Sequence, residues 1–404
     1  MKPHQTKTLR TRLDGSVTDA KDVRQYFATD GSAFSAMPAA VVYPRHSDDV
    51  QAAAAYAHEQ AGAGKGFSLI GRGKGSNRSG GVLGNGAIVV FPAYMNRVTR
   101  LTKDTISVQP GVAVDAVQMV LHTQGRTLAA YSGEHYSSMG GVVATNKGGP
   151  RSLKYGTVAT IVKRLKVVLD DGSIIETRRL SRREVERKKG VMTREGAIYR
   201  DIDGLLQDHS GLLKEAELDT KRNTAGYRLA AVRGSGGSMD LSQLFIGSQG
   251  TLGLITEITL DTARYESRTN LVTGYFDTIE AAGEAILRLL KLNPSRIEFI
   301  GNQLLDALYS YQPQLVSGLL PEKPPKLVVM VEFDNTSHLR QNIQGRRAEV
   351  FMRKYAKGHY STTNRQEQSK LWSLGQAAMV ILNGKQAPKR SVPVIDDVCV
   401  PAAK

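Results

Sequence analysis

The stretch SLIGRGKGSNRSGGVLGNGAIVV, residues Ser68 to Val90, joins two apolar segments of strand character through a loop dominated by glycine. Seven glycines fall between residues 71 and 86. Glycine is entropically costly to order, so such a density is typical of a backbone that turns tightly or approaches another group closely. The sequence therefore predicts that this loop lies close to a ligand or to a neighbouring segment.

Spacing separates the kinds of phosphate-binding loop that use glycine in this way. The G-x-G-x-x-G loop of a Rossmann fold is followed directly by a helix, which Gly80 and Gly81 would break. The P-loop pattern needs lysine followed by serine or threonine, whereas Lys74 is followed by Gly75. Two interpretations remain: a nest of successive backbone N–H groups that holds a diphosphate without a helix, or a flexible turn without a ligand.

The composition predicts a globular chain with more than one domain. At 404 residues and 41% hydrophobic content, the chain is long enough for two or three domains with cores of their own. The N-terminus has no apolar leader and the sequence has no uninterrupted apolar window of about 18 residues, so we expect a cytoplasmic protein without a membrane span. The single cysteine, Cys399, excludes a disulfide framework and a cysteine-ligated iron–sulfur cluster within this chain.

The net charge of +16 predicts attraction to anions. Much of this charge lies in local blocks such as Thr177–Gly190, whose mixed charges are typical of a solvated helix. No zinc-finger, RNA-recognition or basic-zipper pattern accompanies the charge, so no specific nucleic-acid partner is expected. A small anionic substrate is the partner that we expect instead.

Apolar periodicity predicts two domains after a polar N-terminal extension. We assign residues 1–36 to the extension, 37–262 to the first domain and 263–404 to the second. The first domain opens with a β-α-β-loop-β unit around the glycine loop, and residues 181–200 and 233–240 have the character of exposed insertions. Beyond residue 262, strands and amphipathic helices alternate in a pattern that predicts an α+β layout with an antiparallel sheet.

Five segments in a fixed order then carry a resemblance to one family. They are Arg72–Ser76, Pro110–Val112, Ser138–Gly149, Tyr155-Gly156 and Leu244–Thr256. Together they resemble the FAD-linked oxidases whose flavin domain is of the p-cresol methylhydroxylase/vanillyl-alcohol oxidase (PCMH/VAO) type. Within that family, the branch that oxidises D-2-hydroxy acids such as D-lactate, glycolate and D-2-hydroxyglutarate is the most similar.

The resemblance implies an α+β fold with a PCMH/VAO-type FAD-binding domain of two α/β subdomains, followed by a partial antiparallel α+β substrate or cap domain. It implies FAD as cofactor, with the pyrophosphate on the first glycine loop and the later segments along the rest of the molecule. The implied FAD-binding residues are Arg72, Gly73, Lys74, Gly75, Ser76, Asn77, Pro110, Gly111, Val112, Ser137, Ser138, Met139, Gly140, Gly141, Ala144, Asn146, Gly250, Leu254 and Ile255.

Three positions bear on catalysis. Some relatives attach FAD through a histidine of the first loop; Ser76 occupies that place, so we expect the flavin to be held non-covalently. His135 is the candidate catalytic base. Relatives bind the substrate carboxylate with an arginine where this chain has Gly375.

The family's G-H-x-G-D-G-N-x-H segment, which supplies a base and metal ligands, is missing here, so we expect no metal and a substrate domain that is incomplete relative to the family. The favoured hypothesis is oxidation of a D-2-hydroxy acid by hydride transfer to flavin N5, with electrons passing to a separate acceptor or partner subunit. One alternative is an FAD-binding chain without turnover of its own. The other is a flavin reductase similar to the enolpyruvyl reductase of cell-wall synthesis.

Overall fold

The computed structural model describes residues 1–131, 133, 136–216, 220, 223–384 and 399, and within the last helix it describes side chains as far as residue 377. The chain forms two compact units. The first contains Met1–Gly149 and Thr157–Arg264. The described part of the second contains Pro150–Gly156 and residues 265–384.

In chain order the strands are β1 (Ser16–Thr18), β2 (Ala40–Tyr43), β3 (Leu69–Arg72), β4 (Ala87–Val90), β5 (Val98–Leu101), β6 (Thr105–Val108), β7 (Arg126–Thr127), β8 (Val162–Val168), β9 (Ile174–Leu180), β10 (Met239–Asp240), β11 (Leu254–Asp261), β12 (Ala263–Arg264), β13 (Asn270–Phe276), β14 (Arg296–Gly301), β15 (Leu327–Phe333) and β16 (Gly358–Thr362). The helices are α1 (Pro3–Arg12), α2 (Lys21–Tyr26), α3 (Ser47–Gly62), α4 (Val114–Thr123), α5 (Met139–Ala144), α6 (Ser152–Tyr155), α7 (Arg182–Lys189), α8 (Arg194–Asp208), α9 (Ser210–Glu215), α10 (Ser242–Phe245), α11 (Ile279–Leu290), α12 (Asn302–Tyr311), α13 (Pro313–Val316), α14 (His338–Tyr355) and α15 (Arg365–Gly384).

The first unit opens with a four-stranded sheet in the order β1-β2-β4-β3. Strands β2, β4 and β3 run parallel, as the predicted β-α-β unit requires, and α3 makes the crossover from β2 to β3. Helix α3 buries Val50, Ala53 and Tyr56. The glycine-rich stretch is therefore the connection from the edge strand β3 to the central strand β4.

The polar segment 1–36 is part of this sheet rather than an irregular extension. Strand β1 pairs antiparallel with β2, and Leu9 of α1 is fully buried in the core of the first unit. The sequence pattern gave no sign of this because three-residue strands and short polar helices carry little apolar periodicity.

A six-stranded antiparallel sheet completes the first unit in the order β10-β9-β8-β11-β6-β5. Strand β11 pairs with both β8 and β6, so its first residues, Leu254 and Ile255, lie at one end of a central strand. That end begins directly after the glycine-bearing segment that carries the strongest family resemblance. The sheet thereby fixes the position of this segment.

Residues 181–200 and 233–240, expected to be exposed insertions, have many exposed side chains but form ordered elements of the first unit. The first range forms α7 and the start of α8, and in the second β10 pairs with β9. Val185, Tyr199 and Met239 are buried together in one apolar cluster of the first unit. The high charge of α7 masks this role, because only one of its residues, Val185, is buried.

The second unit has an antiparallel sheet in the order β14-β15-β13-β16, which confirms the antiparallel α+β layout predicted from the sequence. Helices α11 and α14 cover one face of the sheet and contribute Leu289, Ala348 and Met352 to its core. Residues of α12 and α15, such as Leu305 and Leu371, form the core on the other face. Among the helices that the structure describes, none combines the length and apolar character needed to cross a membrane.

Candidate cofactor-binding site

The first unit contains a cavity of about 300 Å³ whose walls come from segments far apart in sequence. The glycine loop after β3, the Ser137–Gly141 turn into α5, and the start of β11 all contribute to it. The lining residues are Gly71, Arg72, Gly73, Lys74, Gly75, Ser76, Asn77, Arg78, Ser79, Gly81, Val82, Phe91, Pro110, Ser137, Ser138, Gly140, Gly141, Val142, Ala144, Thr145, Lys147, Gln249, Gly250, Gly253, Leu254 and Ile255. Four of the five family segments thus meet around one cavity, and Tyr155-Gly156 is not among the lining residues.

At two positions of the first loop, neighbouring side chains come so close that only glycine fits. A Cβ atom on Gly73 would overlap Ser138 Oγ, so the loop touches the α5 turn at this point. Gly75 has a φ of +72°, and a Cβ there would overlap the Arg72 guanidinium. The left-handed φ and the lack of space both favour glycine. The loop is therefore a shaped wall, which removes the flexible-turn interpretation.

The side chain of Arg72 supports the loop from behind. It is 6% exposed, and its guanidinium donates to the carbonyl oxygens of Thr29 at 2.8 Å and Phe27 at 3.3 Å. Burial lowers the pKa of this guanidinium. The Arg72 side chain thereby anchors residues 27–29 of the N-terminal segment to the loop, and only the remaining surface of Arg72 faces the cavity.

Asn77 organises the second half of the loop. Its Oδ1 accepts hydrogen bonds from Ser79 N at 2.8 Å, Ser79 Oγ at 2.9 Å and Gly81 N at 3.1 Å. An Asx turn of this kind fixes the backbone without a helix. The chain from Asn77 to Gly81 is accordingly held in a compact turn along the cavity.

The Pro110–Val112 turn supports the Ser137–Gly141 wall. Gly140 N donates to Pro110 O at 2.7 Å and Met139 N donates to Val112 O at 2.9 Å. Gly111 N donates in turn to Met95 O at 2.8 Å. Pro110 lines the cavity, whereas Gly111, Val112 and Met139 lie behind the wall and hold it in place.

Asn146 is the last implied binding residue that does not itself line the cavity. It is fully buried, has a φ of +47°, and neither Oδ1 nor Nδ2 has a hydrogen-bond partner in the described part of the chain. Buried amides are normally satisfied by protein, water or ligand. Its neighbours Thr145 and Lys147 both line the cavity, which places this unsatisfied amide beside the space for a bound molecule.

The charge around the cavity suits an anion. Lys74, Arg78 and Lys147 line it, and no lining residue that the structure describes carries a carboxylate. Lys74 is exposed and stands inside the glycine loop. Backbone N–H groups beside cations are the donors that hold a diphosphate.

Lys74→Gln is expected to lower the affinity for a diphosphate cofactor about tenfold, because it removes one charge-assisted contact to the phosphates. Titration of the apoprotein with FAD, followed by quenching of flavin fluorescence, measures this. Lys103→Gln is the matched control, since Lys103 is also exposed but does not line the cavity. An unchanged affinity in the Lys74 variant would contradict a phosphate at this loop.

Sequence reasoning missed several lining residues, some of them outside the family segments and others, such as Gln249 and Lys147, inside them. Phe91 and Val82 add apolar surface, and Gln249 reaches the glycine loop, where its Oε1 lies 2.6 Å from the position of a Cβ on Gly81. Lys147 lies within a quoted segment, and its charge in a glycine-rich turn was a signal that could have identified it. The remaining additions lie within four positions of a predicted residue in sequence; they are Gly71, Arg78, Ser79, Gly81, Val142, Thr145 and Gly253.

The candidates for catalysis are less well placed. His135 lies outside the described residues. Gly375 lies in α15 of the second unit, and a Cβ there would meet nothing within 4 Å. The position that carries an arginine in relatives is thus open around its Cα atom.

One group elsewhere in the first unit could hold a cation. Asp14, His46 and Asp49 each offer a ligand atom, and these atoms lie within 4.8 Å of one another. Asp49 already accepts hydrogen bonds from the backbone N–H groups of Asp14 and Arg45, at 2.8 and 2.7 Å. The cluster therefore has a structural function at the start of α3.

Two family models match the chain. The model described as "FAD binding domain" matches residues 38–178, and the model described as "FAD linked oxidases, C-terminal domain" matches residues 266–404. The first contains the glycine loop and the Ser137–Gly141 wall, and the second contains the sheet of the second unit. Both matches confirm the resemblance drawn from the motifs and indicate FAD as the cofactor.

Curated relatives are similar over most of the chain. D-2-hydroxyglutarate dehydrogenase of Pantoea ananatis is 25% identical over 394 residues, which are 94% of this chain and 38% of the relative. Glycolate oxidase subunit GlcD of Bacillus subtilis is 25% identical over 284 residues, or 69% of this chain and 48% of the relative. The chain thus spans less than half the length of these relatives.

The fold also matches solved structures of alkyldihydroxyacetonephosphate synthase. One superimposes with a TM-score of 0.67 at 16% identity, covering 95% of this chain and 65% of the other. A second gives a TM-score of 0.63 at 16% identity, with 95% and 64% covered. These matches agree with the mixed α+β fold class predicted from the sequence.

Proposed function

Because this chain belongs to the FAD-linked oxidases, we propose that it binds FAD non-covalently in the cavity of the first unit and oxidises a D-2-hydroxy acid. The observation that carries the proposal is the cavity itself, in which Gly73 and Lys74 of the glycine loop and Ser138 of the α5 turn lie together in the lining. FAD fits these residues, because the cavity is shaped by glycine, cationic at the first loop and apolar at Val142 and Leu254. When bound, FAD supplies the group that accepts a hydride.

Each wall has a distinct task in holding the cofactor. The Gly73–Asn77 backbone and the Lys74 ammonium bind the diphosphate. The Ser137–Gly141 turn, positioned by Pro110–Val112, adjoins this loop at Gly73 and extends the surface that holds the cofactor. Leu254 and Ile255 offer apolar contact and exclude water. Rigid support from the Arg72 side chain and the Asn77 turn keeps the donors in place before the cofactor arrives, which reduces the ordering cost of binding.

The substrate class is supported by charge and by the relatives. Two matched relatives are named for D-2-hydroxyglutarate and glycolate, both 2-hydroxy acids. The net charge of +16 favours encounter with an anionic substrate. A separate acceptor or a partner subunit would take up the electrons, since one relative is named as a subunit of glycolate oxidase.

A second function, FAD binding without turnover by this chain alone, is favoured by one observation. The described cavity lining contains no histidine, aspartate or glutamate, and Gly375 offers no cation for a substrate carboxylate. A general base within reach of the hydroxyl proton is required for oxidation of an alcohol. In this case the base would come from outside the described lining, for example from a partner chain.

Anaerobic titration of the purified flavoprotein distinguishes these functions. Bleaching of the flavin absorbance by D-2-hydroxyglutarate, D-lactate or glycolate, with no bleaching by the L-enantiomers of the chiral acids, is the result expected for the oxidase. A flavin that dithionite reduces but none of the acids reduces indicates binding without turnover. Bleaching by NADPH indicates the reductase alternative. A protein that takes up no FAD contradicts the cofactor assignment.

The flavin is expected to be released when the protein is precipitated with acid. No histidine or cysteine lines the cavity among the described residues, and Ser76 stands where some relatives have the attachment histidine. A yellow supernatant and a colourless pellet are the expected result, read from the absorbance of each fraction. Flavin that stays with the denatured pellet would show a covalent bond.

A further inference from the structure

We propose that the outward face of α14 in the second unit is a docking surface for an anionic phospholipid surface. The helix has 18 residues, from His338 to Tyr355. It packs on the sheet through Gln341, Gly345, Ala348 and Met352, which are all buried. A helix of this kind normally carries polar residues on the other side.

The other side of α14 instead carries a stripe of large aliphatic side chains. At 100° per residue, Leu339, Ile343 and Val350 fall within about 40° of arc, opposite the buried residues. Their exposed fractions are 72%, 44% and 60%. The stripe extends over about 17 Å of helix, from the first turn to the fourth. Single exposed aliphatic residues are common, whereas an aligned set marks an interaction surface.

Cations flank this stripe on both sides. Arg346 and Arg353 lie along one edge, and Arg347, Lys354 and Arg340 lie along the other. All five are exposed. Arg353 lies 3.8 Å from Glu349, the one acidic residue of the helix. Arg346 and Arg347 have no acidic partner in the described part of the chain.

This arrangement does not serve the folding of the second unit. The aliphatic residues contribute nothing to the core, which Ala348 and Met352 form from the other side. The stripe and its flanking cations therefore leave the core unchanged and become favourable against an anionic, apolar-bearing partner.

A phospholipid surface matches both features of this face. Aliphatic side chains in one line enter the boundary between headgroups and acyl chains, while cations on both flanks reach the phosphates. The guanidinium of arginine pairs with two phosphate oxygens at once. Cations lie on both sides of the aliphatic stripe. A flat surface can contact the stripe and both rows of cations at the same time.

Co-sedimentation with vesicles tests this proposal on the full chain. Phosphatidylcholine vesicles with and without phosphatidylglycerol are compared at low salt. The wild-type chain is expected to sediment with the anionic vesicles and to stay in the supernatant with the neutral ones. Arg346→Gln/Arg347→Gln is expected to lower the partition coefficient about 30-fold, since each cation near such a surface contributes about 1 kcal/mol.

A second variant and a control separate this face from general charge attraction. Leu339→Gln/Val350→Gln keeps every charge and is expected to lower the partition coefficient about tenfold or more, through loss of apolar contact. The control Arg183→Gln/Arg187→Gln removes two exposed arginines from α7, and it is expected to bind as the wild type does. All six residues are exposed, so the variants should keep the wild-type melting temperature.

Several results would overturn the proposal. These are no sedimentation with anionic vesicles, equal binding to neutral vesicles, an unchanged partition coefficient in the aliphatic variant, or an equal loss in the α7 control. Capture of an acidic protein by α14 in the absence of vesicle binding would also overturn it and would assign the face to a protein partner.

Discussion

Gly73→Ala is expected to lower the affinity of the first unit for FAD about 100-fold. The added Cβ overlaps Ser138 Oγ, and both residues line the cavity. The Ser138 backbone is held by a β-bridge to Ala113, and rotation of its Oγ away from the new Cβ would give up the hydrogen bond from Gly141 N at the start of α5. Overpacking of a fixed contact costs about 1–3 kcal/mol, and misplacement of the loop N–H groups adds to that loss.

Flavin fluorescence titration of the apoprotein measures this effect. Gly62→Ala is the matched control: Gly62 ends α3 in the same unit, and a Cβ there would meet nothing within 4 Å. That variant should bind FAD as the wild type does. An affinity of the Gly73 variant within a factor of about three of wild type would contradict the assignment, because a factor this small is about 0.65 kcal/mol.

A second substitution tests the cause. Ser138→Gly removes the Oγ and the Cβ that the new methyl group would meet. In the double variant, affinity should recover relative to Gly73→Ala alone, although loss of the α5 cap retains part of the cost. Failure to recover would mean that the Gly73 backbone conformation, and not this contact, limits binding.

The elements around the cavity could be predicted because their signals are local. The run from Ala40 to Val90 shows strand, helix, strand, glycine loop and strand in a contiguous stretch, and the spacing of its glycines excludes two of the phosphate-binding loops. The second unit was predictable for the same reason: α11 has a clear core face, and β13 and β15 are strongly apolar. The periodicity of apolar residues predicts such elements well.

What sequence reasoning missed depends on tertiary contacts. Nothing near Arg72 in sequence shows that its guanidinium binds the carbonyls of residues 27–29, which lie more than forty positions away. The fold of residues 1–36 depends on pairing with β2 and likewise has no local signal. The charged helix α7 was assigned to an insertion because its single buried residue, Val185, is surrounded by arginine and lysine.

At the site, too, the sequence alone could not show contacts between distant segments. Of the nineteen residues that the resemblance implies for FAD binding, fifteen line one cavity, whereas Gly111, Val112, Met139 and Asn146 are not among its lining residues. A motif records that a residue is needed near the cofactor and does not separate contact from support. Hydrogen bonds such as Met139 N to Val112 O make that distinction only in three dimensions.

The second unit holds a pair of buried carboxylates at the end of β15. Glu332 is 4% exposed, and its Oε1 accepts from Arg151 Nε at 2.9 Å and Ser295 Oγ at 2.8 Å. Asp334 is 6% exposed and accepts from Lys154 Nζ at 2.6 Å and Tyr155 Oη at 2.8 Å. Burial and the neighbouring Asp334 carboxylate raise the pKa of Tyr155. Segment 150–156 therefore neutralises both carboxylates.

Arg151→Met is expected to destabilise the second unit by about 3–5 kcal/mol, because it leaves the Glu332 charge buried with a neutral hydroxyl as its remaining partner. Denaturant unfolding followed by the fluorescence of Trp372, the single tryptophan of the chain, reports on this unit. Arg353→Met is the control. Its arginine is exposed and 3.8 Å from Glu349, so a loss of about 0–1 kcal/mol in the free energy of unfolding is expected.

Adding Glu332→Gln to Arg151→Met should recover most of the loss in stability, since the uncompensated charge is then gone. A loss equal to that of the Arg353 variant would show that the Glu332 carboxylate does not depend on Arg151.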